Sequence, residues 1–466
     1  MKSSRSLLLL FLLSGCAKKS LFEEHQWFHT TSQHGPPLIT QQFSAPENIR
    51  PSEAKAIRAG SAEIQFQEVF LAGIPLKSSF IKTVWRNSQP IFISSRVPSE
   101  ALSLDLDRLK TMERDVLTIQ FFLKKYDPLL KVEKARIVWL PSLSGIHLSF
   151  EVTALNADGE FVEFLIDPDH QVLSKRRLDS GFEPAALNST TSSSQVFARI
   201  FPLGPKYSQL QNIALSGLVG DGTLNSRRAK VTTLSAEKVQ IAGDQIQYDP
   251  DSEKFDQVQV YHFVSQTLDS IEKQYGVEIP FQLDVQLHVG SPQKTNTAFY
   301  YGGHIRLGRG DEELYRKIPQ DPSIVYHETY HAMIEVLAKL PNEGEGGALN
   351  EAFADFFTAL QLDSPLLAES SYLKAAYKRT LNETHLLSEK TGQKYHDSLI
   401  VSSLLWECRK ILGREMAGQI SLKTLSLLTP ISDFRDFIEK FKQVSPEFAS
   451  AQQTRDLQAL LQRRGW

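Results

Sequence analysis

Cysteine is scarce in this sequence, and so is an excess of charge of either sign. Only two cysteines, Cys16 and Cys408, occur in 466 residues, and the formal net charge is -3. A chain without a basic excess lacks the electrostatic footprint of nucleic-acid-binding proteins, so nucleic acid is not expected as a partner. Beyond the N-terminus, no apolar run is long enough to cross a bilayer as a helix. The remaining composition is that of ordinary globular material, since 41% of the residues are hydrophobic and 23% are charged.

The N-terminus has the plan of a secretory signal. It runs from a basic start through an apolar stretch at residues 7–13 to small residues and Cys16. The tail LSGC resembles the lipobox of bacterial lipoproteins, which implies that Cys16 carries lipid such as palmitate and becomes the new N-terminus. The resemblance implies a lipid-anchored protein of the cell envelope, and Ala17 favours the outer membrane or periplasm because inner-membrane retention is associated with aspartate there. A plain secretory signal that ends in cysteine is the alternative. Lipidation would leave Cys408 alone, so no intramolecular disulfide could form.

Changes in composition predict five segments. They are a signal (1–15), a tether (16–60), a small β-rich region (61–180), a linker (181–200) and a larger domain (201–466). The tether is polar and contains proline, and the linker surrounds the run LNSTTSSSQ, which has nothing apolar to bury. The β-rich region shows strand-like runs, a helical pattern at 105–125 and a hairpin whose first strand alternates Ile146, Leu148, Phe150 and Val152. The fold class predicted for the chain is α+β.

The sequence HETYH, which begins at His327, lies on a predicted helix opened by the Asp-Pro pair at 321–322. Residues four apart are neighbours on a helix, so His327 and His331 share a face and both imidazoles can reach one metal ion. Glu328 lies about 100° further round, too far to ligate easily but placed to contact a metal-bound water. Taken alone, the motif could also be a solvated helix face.

A second stretch, GALNEAFADFF at residues 347–357, changes the interpretation. Its phenylalanines form an apolar stripe at helical spacing, while Glu351 and Asp355 are again four residues apart. Carboxylates on the buried side of a helix need partners. A metal ion for one of them and the N–H of a ligating histidine for the other would satisfy both.

Together, HETYH and NEAFAD resemble the zinc-binding motif of the thermolysin-like and fungalysin-like metallopeptidases, the gluzincins. The resemblance implies a two-lobed catalytic domain, with a β-rich upper lobe, a helical lower lobe and one zinc ion in the cleft. It implies His327, His331 and Glu351 as zinc ligands, Glu328 as general base, and Asp355 as the partner of the His327 ring.

The N-terminal region resembles the FTP and PepSY modules that precede the catalytic domain in such peptidases, with IDPDHQVLSKR as its most similar strand. The resemblance implies a zymogen in which the N-terminal half acts as an intramolecular inhibitor or chaperone. A cut within 175–195, near a basic cluster, would release the protease domain from its anchor. A small α+β domain of other use, ending in an exposed basic turn, is the alternative.

Three further stretches resemble substrate-binding parts of the same family. TNTAFYYGGHIRLGRGD resembles the edge strand on which a peptide is laid, which implies substrate contacts for Ala298 and Phe299. KYHDSLIVSSLLWECRK resembles the segment that supplies an oxyanion-binding histidine, which implies a catalytic role for His396. Tyr395 and His385 are alternative donors. Arg379 in YKRTLN resembles the arginine that binds the substrate carbonyl beyond the scissile bond, although its distance from His396 in sequence is shorter than the family shows.

Some family features are missing. Ser323 and Leu362 stand where thermolysin has acidic calcium ligands, so the double calcium site is expected to be absent. No tyrosine lies between His331 and Glu351, where the family often has an oxyanion donor. His396 or the tyrosines at 300 and 301 would have to compensate.

The function predicted from these features is zinc-dependent endopeptidase activity on extracytoplasmic polypeptides. The alternative is a catalytically silent, lipid-anchored binding or assembly protein that keeps the fold. The complete ligand set together with Glu328 argues against this alternative, because a retired enzyme does not need the base.

Overall fold

The computed structural model describes residues 22–28, 49–178 and 195–466, with gaps in the second range at 88, 99–111, 113–115, 117–118, 143–144 and 157–160. The predicted signal, Cys16 and the Ser/Thr run at 187–194 lie outside the described residues. In the part of the chain that is described, no helix is both long and apolar enough to cross a membrane.

In its described residues, the N-terminal region is a largely antiparallel arrangement of strands with a short helix, α1 (Ile119–Tyr126). Its strands are β1 (Phe22–Phe28), β2 (Ile49–Pro51), β3 (Lys55–Ala59), β4 (Ala62–Leu71), β5 (Ile74–Arg86), β6 (Gln89–Pro98), β7 (Lys131–Ser142), β8 (Gly145–Leu155), β9 (Phe161–Ile166) and β10 (Val172–Arg177). One half is built on β4, β5 and β6, the other on the meander β7 to β10, and a single parallel pair between β5 and β7 joins them.

The predicted hairpin is confirmed, since β8 pairs antiparallel with β9. Its alternating pattern buries Leu148, Phe150 and Val152 on one face against α1 and the opposite strands. The predicted helix at 105–125 is found as α1, which begins only at Ile119; most residues before it lie outside the described ranges.

Residues 16–60 were predicted to be a tether, and this is wrong for their described part. β1 adds to the edge of β6, and β2 and β3 pair with β4. β2 and β3 are short strands with mostly exposed side chains. Because only one side of such a strand is paired and little of it is buried, it shows no apolar alternation that sequence reasoning could detect.

The C-terminal region begins with small sheets. Its strands are β11 (Val196–Ile200), β12 (Gln211–Leu215), β13 (Ala229–Thr233), β14 (Gln245–Ile246), β15 (Leu283–Leu287), β16 (Ala298–Tyr301), β17 (His304–Leu307), β18 (Leu366–Leu367) and β19 (Arg379–Thr380). β11 occupies residues that were assigned to the linker, so the linker ends before Val196. β15 lies between β13 and β17, and β16 forms the edge of that sheet.

Helices make up most of the remaining chain. They are α2 (Glu253–Lys273), α3 (Pro322–Ala338), α4 (Gly344–Leu362), α5 (Lys394–Leu412), α6 (Arg414–Ser426), α7 (Phe434–Val444) and α8 (Ala451–Arg463). α3 and α4 are buried along nearly their whole length, packed against each other and against α2 and α5. A helix that is apolar all round is an interior helix, so its few polar residues lie in the core, where they need partners.

Candidate active site

The centre of the site is built by α3. Asp321 caps its N-terminus by accepting a hydrogen bond from the backbone N–H of Ser323, and Pro322 occupies the first turn. His327 and His331 project from one face with their ring centroids 4.7 Å apart, and their Nε2 atoms are 3.1 Å apart. Both rings are buried.

Helix α4 brings a carboxylate to the same point. Glu351 Oε2 lies 3.2 Å from His327 Nε2, and the possible ligand atoms of His327, His331 and Glu351 all lie within 4.8 Å of one another. Bonds of about 2.0–2.1 Å at tetrahedral angles place two zinc ligands roughly 3.3–3.4 Å apart. Two imidazole nitrogens and one carboxylate oxygen at these separations fit a zinc ion with one open position.

Polar partners outside the donor set hold both imidazoles with Nε2 facing the centre. His327 Nδ1 lies 2.8 Å from Asp355 Oδ1, and His331 Nδ1 lies 2.8 Å from Asn350 Oδ1. Such partners fix the ring orientation of a metal-binding histidine. The sequence analysis expected Asp355 in this position and gave Asn350 no role in the site.

The charges of the site favour a cation at its centre. Burial lowers the pKa of His327, but the neighbouring carboxylates, above all Asp355, outweigh burial and raise it to about 9. Burial and the charge of His327 lower the pKa of His331 to about 4. Burial raises the pKa of Glu351, yet its bond with His327 and the charge of Lys394 hold it well below the usual value. Glu351 and Asp355, whose pKa values are lowered, therefore favour a cation beside them.

Two cations support the carboxylates. Lys394 Nζ lies 3.1 Å from Glu351 Oε1 and donates a hydrogen bond to the Asn342 side chain at 2.7 Å. Arg379 Nη2 lies 2.5 Å from Asp355 Oδ1. Lys394 was missed by the sequence analysis, because a long side chain reaching from another helix leaves no spacing signal.

A cleft opens over the donors. Besides the metal-binding group it is lined by Ala298, Phe299, Tyr300, Glu328, Arg379 and Tyr395. The structure thus brings Glu328, Arg379 and the edge-strand residues to the place where the sequence analysis expected them. Glu328 is buried beside the two histidines. Their roles in catalysis or substrate binding are proposals, which we take up below.

His396 does not line this cleft, contrary to the expectation for an oxyanion donor. Its Nδ1 lies 3.1 Å from Asp397 Oδ1, and its ring is 6.3 Å from that of His385, which also lies outside the cleft lining. Tyr395 lines the cleft instead. Both residues belong to the first turn of α5, where successive side chains differ by about 100° in direction, so only one of them faces the donors.

The two edge-strand tyrosines do not compensate either. The Tyr300 hydroxyl donates to the Glu335 carboxylate and accepts from the backbone N–H of Gly303 at 2.9 Å. Tyr301 packs on Phe161 of the N-terminal region, with ring centroids 4.9 Å apart. The Tyr300 hydroxyl is therefore already hydrogen-bonded within the protein, and the Tyr301 ring packs against the N-terminal region.

Ser323, which stands where thermolysin has a calcium ligand, belongs to a local hydrogen-bond network. The Ser323 hydroxyl donates to Asp321 Oδ1 at 2.6 Å and accepts from the backbone N–H of Ala368 at 2.7 Å. Asp321 Oδ2 accepts from the N–H of Ser370 at 3.0 Å. These bonds join the start of α3 to the segment after α4 through protein groups.

Comparison with known proteins finds zinc peptidases, although no protein-family model matches the chain. A zinc metalloproteinase of Listeria monocytogenes is 28% identical over 187 residues, which are 36% of each chain. An extracellular elastase of Staphylococcus epidermidis is 24% identical over 259 residues, 50% of each chain. A thermolysin of Alicyclobacillus acidocaldarius is 35% identical over 65 residues, 14% of this chain and 12% of that one.

This chain therefore spans half or less of the length of these relatives. Among solved structures, the precursor of protealysin from Serratia proteamaculans matches with a TM-score of 0.44 and 18% identity, covering 60% of this chain and 90% of that one. The sequence matches agree with the motifs HETYH and NEAFAD and with the convergence of His327, His331 and Glu351. The predicted resemblance is confirmed: this chain is similar to the thermolysin-like zinc metallopeptidases.

Proposed function

We propose that the protein is a zinc-dependent endopeptidase that hydrolyses peptide bonds of proteins outside the cytoplasm. The observation that carries the proposal is the convergence of two buried imidazoles and a buried carboxylate beneath a cleft that Glu328 also lines. Bound there by His327, His331 and Glu351, zinc would polarise a scissile carbonyl and lower the pKa of a water molecule to about 7.

Glu328 would be the general base. It follows His327 on α3 and faces the same cleft, so it can accept a proton from the attacking water and pass it to the leaving amine. The partners Asp355 and Asn350 would keep the imidazoles fixed while this proton moves.

The substrate would lie along β16. Among the described residues this strand pairs only with β17, so its other edge has main-chain groups available for an extended peptide. Main-chain pairing supplies affinity without reading side chains, which supports broad sequence tolerance. Ala298 and Phe299 would contact the peptide, and Arg379, held by Asp355, would donate to a substrate carbonyl.

Tyr395 would stabilise the oxyanion in place of His396. It lines the cleft, as Arg379 does, and it is about half exposed. A phenol donates one hydrogen bond and stays protonated through neutral pH. It can therefore serve as an oxyanion donor in place of the imidazole that the family resemblance implies.

The assay is hydrolysis of casein and of quenched fluorescent peptides, with bound zinc measured in the same preparation. Glu328→Gln should keep zinc and lose about 10²- to 10⁴-fold in rate. Glu343→Gln is the matched control, because it makes the same change at an exposed residue near the start of α4. Zinc-loaded wild-type protein that cleaves neither substrate would refute the proposal and leave the silent binding protein as the explanation.

The location outside the cytoplasm is proposed from the lipobox-like tail at Cys16. Mass spectrometry of the mature N-terminus should find diacylated or triacylated Cys16, and Cys16→Ser should move the protein from the membrane to the soluble fraction. An unmodified cysteine would contradict the anchor without affecting the peptidase proposal.

A further inference from the structure

The N-terminal region contacts the end of the helix that carries the two histidines. Lys82 of β5 is completely buried, and its amine donates to the carbonyl of Leu337 at 2.6 Å and to the carbonyl of Leu428. Leu337 lies in the last turn of α3, where carbonyl groups have no partner within the helix. Lys82 therefore caps α3 from a separate part of the chain and ties it to the end of α6.

Apolar packing surrounds this contact. Ile64, Phe66, Val84 and Phe92 of the N-terminal strands are buried in the same core cluster as the helices of the C-terminal region. The Phe66 ring lies 5.0 Å from Lys82 Nζ. An interface that shares a hydrophobic core resembles the interior of one domain more than a contact between two mobile domains.

The N-terminal and C-terminal regions also contact each other through their backbones, near Gly60 and Gly276. Gly60 N donates to Gly276 O at 2.9 Å, and the strand-like segments beside them form a bridge between Ala59 and Val277. Gly276 has φ of +65°, and a Cβ there would lie 3.0 Å from Gly60 Cα. Only glycine allows the two chains to approach this closely.

The other element of the site, β16, is also contacted from outside. Phe161 packs on Phe299 and Tyr301 in a small cluster with Leu178, and it lies 5.5 Å from the His304 ring of β17. These side chains pack on Phe299 and Tyr301 of the edge strand, beside the cleft that Phe299 also lines.

The described part of the N-terminal region does not enter the cleft. Among the described residues, all side chains that line the cleft belong to positions 296–395. The contacts are made at the end of α3 and with Phe299 and Tyr301 of β16. In the described residues, this region therefore supports the two elements of the site without occupying it.

We propose that the surface formed by the end of α3, the side chains of Phe299 and Tyr301 on β16, and the segment around Gly276 is a permanent binding surface for the chain's own N-terminal region. The N-terminal region stays bound when the linker is cut, and it acts as a brace that fixes the geometry of the metal site. The inference rests on the proposed function only in taking zinc as the metal, and its tests do not require peptidase activity.

The first test cuts the linker. A recognition sequence for a site-specific protease is inserted into residues 187–195 of the full chain, in a Glu328→Gln, Cys16→Ser background that prevents self-cleavage and lipidation. After complete cutting, the two fragments should elute together in gel filtration at the mass of the whole chain, with unchanged zinc content and a single thermal transition. Fragments that separate under native conditions, with a zinc-loaded C-terminal fragment, would overturn the proposal.

The second test removes the Lys82 cap. Lys82→Met should lower the melting temperature by about 2–8 °C, because two buried carbonyls lose their donor. It should also weaken zinc binding by about 2- to 30-fold, the range for remote changes that couple to a site. Lys125→Met is the control, since Lys125 is an exposed lysine of α1 in the same region.

Unchanged zinc affinity in folded Lys82→Met protein would show that the contact serves folding alone and would refute the brace. Phe161→Ala tests the second contact if Lys82→Met fails to fold. It removes the ring that packs on β16 and should likewise weaken zinc binding, and normal affinity in that variant would count against the proposal. Zinc-loaded wild-type protein without peptidase activity would concern the proposed function and not the brace.

Discussion

Asp355→Ala should separate metal affinity from stability at this site. Asp355 is fully buried and contacts both the His327 ring and the Arg379 guanidinium. Removing a partner of a metal-binding histidine typically weakens metal binding by about 10- to 100-fold, which corresponds to about 1.4–2.7 kcal/mol. The same change leaves a largely buried guanidinium without its anion, and breaking a buried pair costs about 3–5 kcal/mol of folding free energy.

A second substitution distinguishes the two effects. In the double variant Asp355→Ala, Arg379→Met, the unpaired cation is gone, so much of the lost stability should return. Zinc affinity should stay low, because the His327 ring still lacks its acceptor. Asp355→Asn is the conservative control, as it keeps an oxygen acceptor and should lose less affinity than Asp355→Ala.

Zinc affinity is measured by competition with a fluorescent chelator and stability by urea unfolding of zinc-free protein. Equal zinc affinity in wild type and Asp355→Ala would refute the role assigned to this carboxylate. Recovery of both quantities in the double variant would show that Asp355 acts only by neutralising Arg379.

Three further predictions concern the oxyanion donor, pH and calcium. Tyr395→Phe should lower kcat by about 10²- to 10³-fold with little change in KM, whereas His396→Ala should leave kcat within about twofold; the opposite result would restore the prediction from sequence. In zinc-free protein, the combined contribution of His327 and His331 to stability should be greatest near pH 6.5. His327, with its pKa raised to about 9, contributes stability fully below its unfolded pKa of about 6.5 and loses it as the pH rises to about 9. His331, with its pKa lowered to about 4, reduces stability as the pH falls from about 6.5 to about 4, so a flat profile in urea unfolding would contradict both shifts. A calcium-selective chelator should leave the melting temperature unchanged, because protein hydrogen bonds at Ser323 join the segments there; a fall of several degrees would reveal a calcium site.

The donor set was predictable from sequence because helix geometry fixes it. Two histidines four residues apart must share a face once the surrounding residues form a helix, and the same reasoning gives Glu351 and Asp355. Asn350 also has a signal in the sequence. It directly precedes Glu351 on the same helix, and this position lets its side chain reach the His331 imidazole.

Other parts of the site were not predictable in this way. The choice between Tyr395 and His396 depends on the rotation of the first turn of α5, which a capping side chain, Gln393, helps to fix by accepting from the His396 N–H. The spacing of apolar residues in the sequence does not indicate how this first turn is rotated about the helix axis. Lys394 reaches Glu351 through a long flexible side chain, and Lys82 meets α3 from a distant part of the sequence, so neither contact has a local signature.

The fold was predicted where strands and helices bury a regular face. The hairpin β8–β9 and the helices α3 and α4 are examples. β1, β2 and β3 were taken as a tether because edge strands bury little and carry polar side chains.

Metal analysis of purified full-length protein tests the central claim most directly. Mass spectrometry of bound metals, combined with the zinc-edge X-ray absorption spectrum, should find one zinc ion per chain with two nitrogen ligands from imidazole and one carboxylate, and Glu351→Ala should abolish stoichiometric binding. Protein that folds, is exposed to zinc and still binds none, or that keeps its zinc in Glu351→Ala, would contradict the account.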